Sequence, residues 1–278
     1  MLDQIAKAYD DCEEVIKKNS ATFYKAFSFL PSEEKRAVWA IYTFCRRVDD
    51  IMDEGLEPEK EILVFEKEFD LFKKGKIIKH DFMWLALADV FSKYQMDIRP
   101  FEDMIIGQKM DLIKNRYETV EEVLHYSYHV ASTVGLMLLP ILAPGKTEIL
   151  RSGAIKLGLG MQITNILRDI GEDLLKGRIY VPSELFEKHH YSYKEFLQFD
   201  VNERFINIVE ELARLADSYY SEALETIDEY PLYSRTPVKG AAYLYRAILD
   251  EIRKNGYNTF QKRNYVTKEV KDQIIAMM

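Results

Sequence analysis

Apolar residues recur at the helical interval of about 3.6 residues along almost the whole chain. Apart from the short stretch Arg178-Ile179-Tyr180-Val181, no run alternates with period two between turn residues. That periodicity commits the chain to an all-α fold. Helices are expected at roughly 3–18, 21–29, 33–53, 58–74, 82–94, 100–114, 120–140, 147–175, 203–229 and 238–255. Pro31-Ser32 ahead of Glu33 and Glu34 reads as a helix start, because a serine hydroxyl can accept from the orphan amides and acids suit the positive end of the dipole. Thr119 with Glu122 makes a capping box, and Gly75, Pro144-Gly145 and Gly177 stand where helices should stop. No proline- or glycine-rich linker and no internal repeat divides the chain, so residues 1–278 are expected to form one domain.

With 278 residues, 47% of them hydrophobic, the chain can bury a large core. Its net charge of -8 comes without a basic stripe, which argues against a nucleic-acid partner. An anionic ligand would need local arginine or a metal to enter. Cys12 and Cys45 are the only cysteines, and the start Met1-Leu2-Asp3-Gln4 has no basic or apolar leader region. A reducing, cytoplasmic setting is expected rather than a disulfide framework. The most apolar run, residues 134–143, is shorter than the roughly 20 residues of a membrane span and contains Pro140.

Two acidic runs carry the chemistry: Asp49-Asp50-Ile51-Met52-Asp53, and Asp169-Ile170-Gly171-Glu172-Asp173 after Asn165-Ile166-Leu167-Arg168. Residues four apart in a helix share a face about 6 Å along the axis. Asp49 therefore pairs with Asp53, and Asn165, Asp169 and Asp173 form a ladder. Both sets continue largely apolar stripes, Val38 and Tyr42 ahead of the first, Gly158 and Gln162 ahead of the second. Acids on inward faces are costly unless paired or metal-bound. Two facing ladders would make an oxygen-rich cage suited to Mg²⁺, whose charge then reverses the local potential and admits a diphosphate. Ordinary surface pairing of Arg46 with Asp49 or Asp50, and of Arg168 with Glu172, explains one cluster easily but two matched clusters poorly. Asp111 is either a third carboxylate near the site or a solvent-facing residue near a helix end.

Other metal readings are weaker. Glu-x-x-His occurs at Glu122/His125 and Glu187/His190, but the first glutamate belongs to the cap and the second to a short polar segment, so a di-iron bundle is disfavoured. Gly158-Leu159-Gly160 follows no strand and is better explained by close helix packing than by phosphate binding.

Together these residues resemble the squalene and phytoene synthase family of head-to-head prenyl transferases, most closely its bacterial dehydrosqualene synthases. The likeness rests on Asn19-Ser20-Ala21-Thr22-Phe23, Ala37-Val38-Trp39-Ala40-Ile41-Tyr42, Cys45-Arg46-Arg47-Val48-Asp49-Asp50, Ala131-Ser132-Thr133-Val134-Gly135, Gln162-Ile163-Thr164-Asn165-Ile166-Leu167-Arg168-Asp169 and Gly177-Arg178-Ile179-Tyr180-Val181-Pro182. It implies an isoprenoid-synthase helical bundle around a deep central cavity. It also implies Mg²⁺ held by Asp49, Asp53, Asn165, Asp169 and Asp173. Prenyl diphosphates would be contacted by Tyr42, Arg46, Gln162, Arg168, Tyr245 and the segment Asn19, Ser20, Ala21 and Thr22, with Arg178 and Arg263 as further phosphate candidates.

The implied chemistry is ionisation of one allylic diphosphate, attack by the 2,3 double bond of a second molecule to give presqualene diphosphate, then a second ionisation, rearrangement and proton loss. Phe23, Phe27, Tyr42, Tyr128 and Tyr245 are the aromatic side chains expected to line the cavity. Phe23 and Phe27, four apart, are expected to close its floor and favour farnesyl over geranylgeranyl diphosphate. The chain shows neither a strand-borne nucleotide motif nor the C-terminal membrane segment of eukaryotic squalene synthases, so dehydrosqualene is favoured over NADPH-dependent squalene formation. Phytoene synthase is the nearest alternative and a helical scaffold the non-enzyme one. A peripheral membrane contact for product release completes the expectation.

Overall fold

The computed structural model describes residues 2–76 and 78–276. Its α-helices are α1 (Leu2–Asn19), α2 (Ala21–Phe27), α3 (Ser32–Glu54), α4 (Pro58–Lys73), α5 (Phe82–Lys93), α6 (Arg99–Met110), α7 (Val120–Ser127), α8 (Thr133–Leu142), α9 (Thr147–Arg168), α10 (Ile170–Leu175), α11 (Ser183–Lys188), α12 (Tyr193–Leu197), α13 (Glu203–Leu224), α14 (Leu232–Lys254) and α15 (Lys268–Ala276). No strand forms among the described residues. The segment around Ile179 makes a single parallel bridge with Arg116. The all-α expectation therefore holds.

Local signals set most boundaries. The Asp81 carboxylate accepts from the amides of Met83 (2.9 Å) and Trp84 (3.4 Å) at the start of α5, and Asn202 accepts from Arg204 and Phe205 at the start of α13. Gly75, Gly145 and Gly177 stop helices with φ of 72, 76 and 74°. Two expected caps differ in detail. Pro31, not Ser32, is the N-cap of α3, and Ser32 lies inside the first turn. Thr119 does accept from the Glu122 amide, but the Glu122 carboxylate reaches past it to the amide of Glu118 (2.7 Å).

Two apolar cores flank the middle of the molecule. In the first, Phe44 of α3 meets Phe65 and Phe69 of α4, Trp84 of α5 and Phe101 of α6 at centroid distances of 5.5, 5.8, 6.1 and 5.0 Å. In the second, α9 and α14 pack with α13 through Leu167, Leu212, Ala216, Tyr220 and Leu249. The helices α2, α3, α8, α9 and α14 line the space between.

Three expected helices are interrupted or shifted. The stretch 120–140 contains a π-helical turn, Tyr128–Ser132, between α7 and α8. There the backbone is crowded from two sides: a Cβ on Gly158 would lie 2.4 Å from Ser132 Cα, and one on Gly107 would lie 2.5 Å from His129 Cβ. Close packing is thus the role of Gly158, as its sequence context indicates. The stretch 147–175 breaks at Asp169 (φ −106°, ψ 13°), because the amide of Gly171 bonds to the carbonyl of Thr259 (3.1 Å). Helix α14 begins at Leu232 and carries Pro237 inside it rather than starting beyond that residue. Helices α11, α12 and α15 have no counterpart in the sequence expectation. Among the described residues no helix is long and apolar enough to cross a membrane.

Candidate active site

Helix α3 brings Tyr42, Arg46, Asp49 and Asp53 to one face, and α9 with α10 brings Gln162, Asn165, Asp169 and Asp173 to the facing wall. They border two joined chambers. The polar one, about 590 Å³, is lined by Asn19, Ser20, Ala21, Thr22, Asp53, Arg168, Asp169, Asp173 and Arg263. The apolar one, about 280 Å³, runs inward between Phe27, Leu138, Leu142, Ala154, Leu157 and Val238. Phe23, Tyr42, Arg46, Asp49, Gln162, Asn165 and Tyr245 border both and make the collar between them, together with Tyr126.

Of the residues singled out from the acid ladders and the family resemblance, all but Tyr128 line this cavity, and the placement of Phe23 also changes. Phe23 lies at the collar, stacked on Phe27 (5.6 Å) and edge-on to Tyr245 (5.5 Å), rather than at the floor. Tyr128 lines neither chamber. It opens the π turn against His129, and Tyr126, two residues earlier, faces the cavity instead.

The acids are unequally compensated. Asp49 accepts from Arg46 (3.2 Å) and Gln108 (3.3 Å), yet burial and the neighbouring Asp53 charge push it up to about 6. Burial also raises Asp173, which with the charge of Asp169 is pushed up to about 7. Asp53 goes the other way: burial opposes ionisation, but hydrogen bonds from Lys176 and Arg178 outweigh it and hold the carboxyl below its usual range. Asp169 is gripped by Arg168 (2.8 Å) and Arg263 (3.0 Å).

Asp111 resolves toward the site. Its side chain is 4% exposed and accepts from Tyr180 (2.9 Å) and Tyr126 (3.0 Å), with Arg178 3.9 Å away. Burial raises its affinity for a proton. Lys176, Tyr126, Tyr180, Gln108 and Lys271 are cavity or partner residues that periodicity and the acid ladders do not mark. Tyr180 could have been found from its place two residues after Arg178.

Among the described residues no three acidic, histidine or cysteine side chains converge as a ready cation cage. Surrounding arginines and lysines carry the compensation instead. The donor set nevertheless suits a hard dication. Asn165 donates to Gln162 (3.2 Å) while its own Oδ1 is buried without a partner, and burial with neighbouring carboxylate charge disfavours ionisation of Asp49 and Asp173, a cost that a bound cation would relieve.

The sequence profile of the Squalene/phytoene synthase family matches residues 16–270. The chain belongs to that family. A solved dehydrosqualene synthase with bound ligand superposes with a TM-score of 0.93 at 35% identity, covering 99% of this chain and 96% of the other. Among curated squalene/phytoene synthase relatives, the 15-cis-phytoene synthase of Synechococcus elongatus is 34% identical over 279 residues, 95% of this chain and 90% of its own length. The chloroplastic phytoene synthase 1 of Zea mays is 38% identical over 275 residues, 95% of this chain and 66% of its own, so the chain spans about two thirds of that relative. The cavity of this chain has a polar mouth and an apolar depth.

Proposed function

We propose that this chain condenses two farnesyl diphosphate molecules head to head, releasing diphosphate and forming dehydrosqualene through presqualene diphosphate. The observation that carries the reading is the continuity of a mouth rich in carboxylates and guanidinium groups with an apolar chamber, through one aromatic collar.

A prenyl diphosphate placed across that collar has its anionic head among Arg46, Gln162, Arg168, Arg178, Arg263 and the segment 19–22, and its chain beside Phe27 and Leu138. Asp49, Asp53, Asn165, Asp169 and Asp173 would hold Mg²⁺. When bound, the ion neutralises charge building on the departing diphosphate and so eases cleavage of the allylic carbon–oxygen bond. Arg168 and Arg263 are already oriented beside Asp169, so the guanidinium groups need little rearrangement to meet the leaving group. Tyr42, Phe23 and Tyr245 offer ring faces where a carbocation passes. The buried side chains beyond them exclude the water that would quench it.

The fifteen-carbon substrate is supported by the Phe23–Phe27 pair occupying one wall and by the likeness to a dehydrosqualene synthase. A second reading, phytoene synthesis from geranylgeranyl diphosphate, is favoured by the names of the curated relatives. We place the reaction in the cytoplasm, with a peripheral membrane contact where the apolar product leaves. The test is incubation with Mg²⁺ and each diphosphate, with and without NADPH, followed by product mass. Dehydrosqualene from farnesyl diphosphate without NADPH is expected. A forty-carbon product alone would move the assignment to phytoene synthase, squalene appearing only with NADPH would move it to squalene synthase, and no product from either substrate would sink it.

A further inference from the structure

Two histidines on the outer side of the π turn have no part in either chamber. His125 is exposed near the end of α7, and His129 is half-buried within the turn, where its Cβ packs against Gly107 of α6. Their ring centroids lie 4.5 Å apart, with the planes tilted by 52°. His129 Nδ1 stands 2.8 Å from the carbonyl oxygen of His125. A carbonyl only accepts, so that nitrogen carries the proton, and the neutral ring keeps its lone pair on Nε2, pointing away from the backbone. A backbone carbonyl on the second nitrogen fixes the tautomer and raises the basicity of a metal-binding imidazole.

The Glu-x-x-His spacing marks His125 in the sequence, but the fold changes its partner. Glu122 is occupied elsewhere, accepting from the Glu118 amide (2.7 Å) and pairing with Lys114 (2.8 Å). His189 is likewise taken, its Nε2 lying 2.8 Å from Glu211. His125 and His129 instead face each other, one helical turn apart. Paired imidazoles suit Zn²⁺, Cu²⁺ or Ni²⁺, whereas Mg²⁺ takes oxygen. Ligand chemistry therefore separates this pair from the acid ladders.

We propose that His125 and His129 form a second metal site, for a transition dication such as Zn²⁺, with the two imidazoles as its protein ligands and water in the remaining positions. The ion would tie the last turn of α7 to the π turn, the junction whose register brings Tyr126 to the cavity and leaves Tyr128 outside it. Such an ion stands apart from the prenyl diphosphate chemistry, and its presence does not depend on that reading.

The test uses the full chain without a polyhistidine tag, in excess Mg²⁺, and follows amide exchange over residues 124–132 as Zn²⁺ is added. Reading exchange at the junction itself distinguishes this site from any Zn²⁺ taken by the acids of the mouth. Zn²⁺ should slow exchange there in wild type. His125→Gln and His129→Gln should each raise the Zn²⁺ concentration needed for half of that slowing at least about tenfold, because losing a ligand costs no less than losing a residue that orients one. Asp173→Asn should leave that concentration unchanged. A rise of less than about tenfold in either histidine variant, a rise as large in Asp173→Asn, or no slowing in wild type at any Zn²⁺ concentration that keeps the chain soluble would overturn the site. Should the half-buried His129→Gln fail to fold, the exposed His125→Gln decides alone.

Discussion

A carboxyl group buried beside another carboxylate keeps its proton to higher pH, and Asp49 (about 6) and Asp173 (about 7) both do so. In the unfolded chain these groups ionise near pH 4. The folded chain therefore binds protons that the unfolded chain has lost, and the metal-free protein should lose stability as pH rises from about 4 to about 7, then level off. Asp173→Asn removes the cost of that charge. In EDTA at about pH 7.5 it should raise Tm by roughly 2–4 °C, the size of about 1 kcal/mol in a chain of this length, while a fall in Tm would contradict the burial argument. Added Mg²⁺ should stabilise wild type and stabilise Asp173→Asn less. Asp49→Asn should lower Mg²⁺-dependent product formation at least about 100-fold, the scale of losing one element of transition-state charge stabilisation. Asp111→Asn is not a silent comparison for it. The substitution disturbs a buried acceptor of two tyrosine hydroxyls, so a loss of about 1–3 kcal/mol in urea unfolding is expected.

At the scale of elements, the break between α9 and α10 organises the second acid ladder. Asp169 ends one helix and begins the next, while its amide still bonds to Asn165 (2.9 Å) and its carbonyl accepts from Asp173 (2.9 Å). The ladder keeps its spacing while the helix turns toward the C-terminal segment. Gly171 permits this contact, since a Cβ there would sit 1.9 Å from the Phe260 carbonyl oxygen. Gly171→Ala should cost about 1–3 kcal/mol through overpacking and speed amide exchange in residues 258–266. Unchanged exchange there would show that the contact does not hold the segment. The acid spacing was legible because four-residue steps are a local property of the chain. The break was not, because its cause is an amide's choice of the distant Thr259 over its own helix. The π turn at 128–132 was hidden for the same reason, being set by glycines on α6 and α9, and its register is what exchanges Tyr128 for Tyr126 at the cavity. Pro237 misled in the opposite sense: a proline signals a boundary locally, yet packing carries α14 through it.

For the molecule as a whole, the helices separate charge from apolar volume along one cavity, and the collar is where the two meet. Carboxylates and cations nearly balance along the mouth and most of the acidic excess lies elsewhere, so the net charge of -8 does not describe the field a diphosphate meets. Depth is a matter of volume, and Phe27, 3% exposed, occupies the apolar chamber with its ring stacked on Phe23. Because one side of that ring already faces open space, Phe27→Ala should cost less than the roughly 3–5 kcal/mol of emptying a filled core site. The freed volume adjoins the space for the prenyl chain. Given an equimolar mixture of farnesyl and geranylgeranyl diphosphates, the variant should shift product mass from thirty toward forty carbons. Phe205→Leu, which alters an equally buried ring in the other core, should leave that ratio where it was. If Phe27→Ala folds and its product ratio matches wild type, chain length is set elsewhere along the chamber, at residues such as Leu142 or Val238, and the aromatic pair serves only to close the collar.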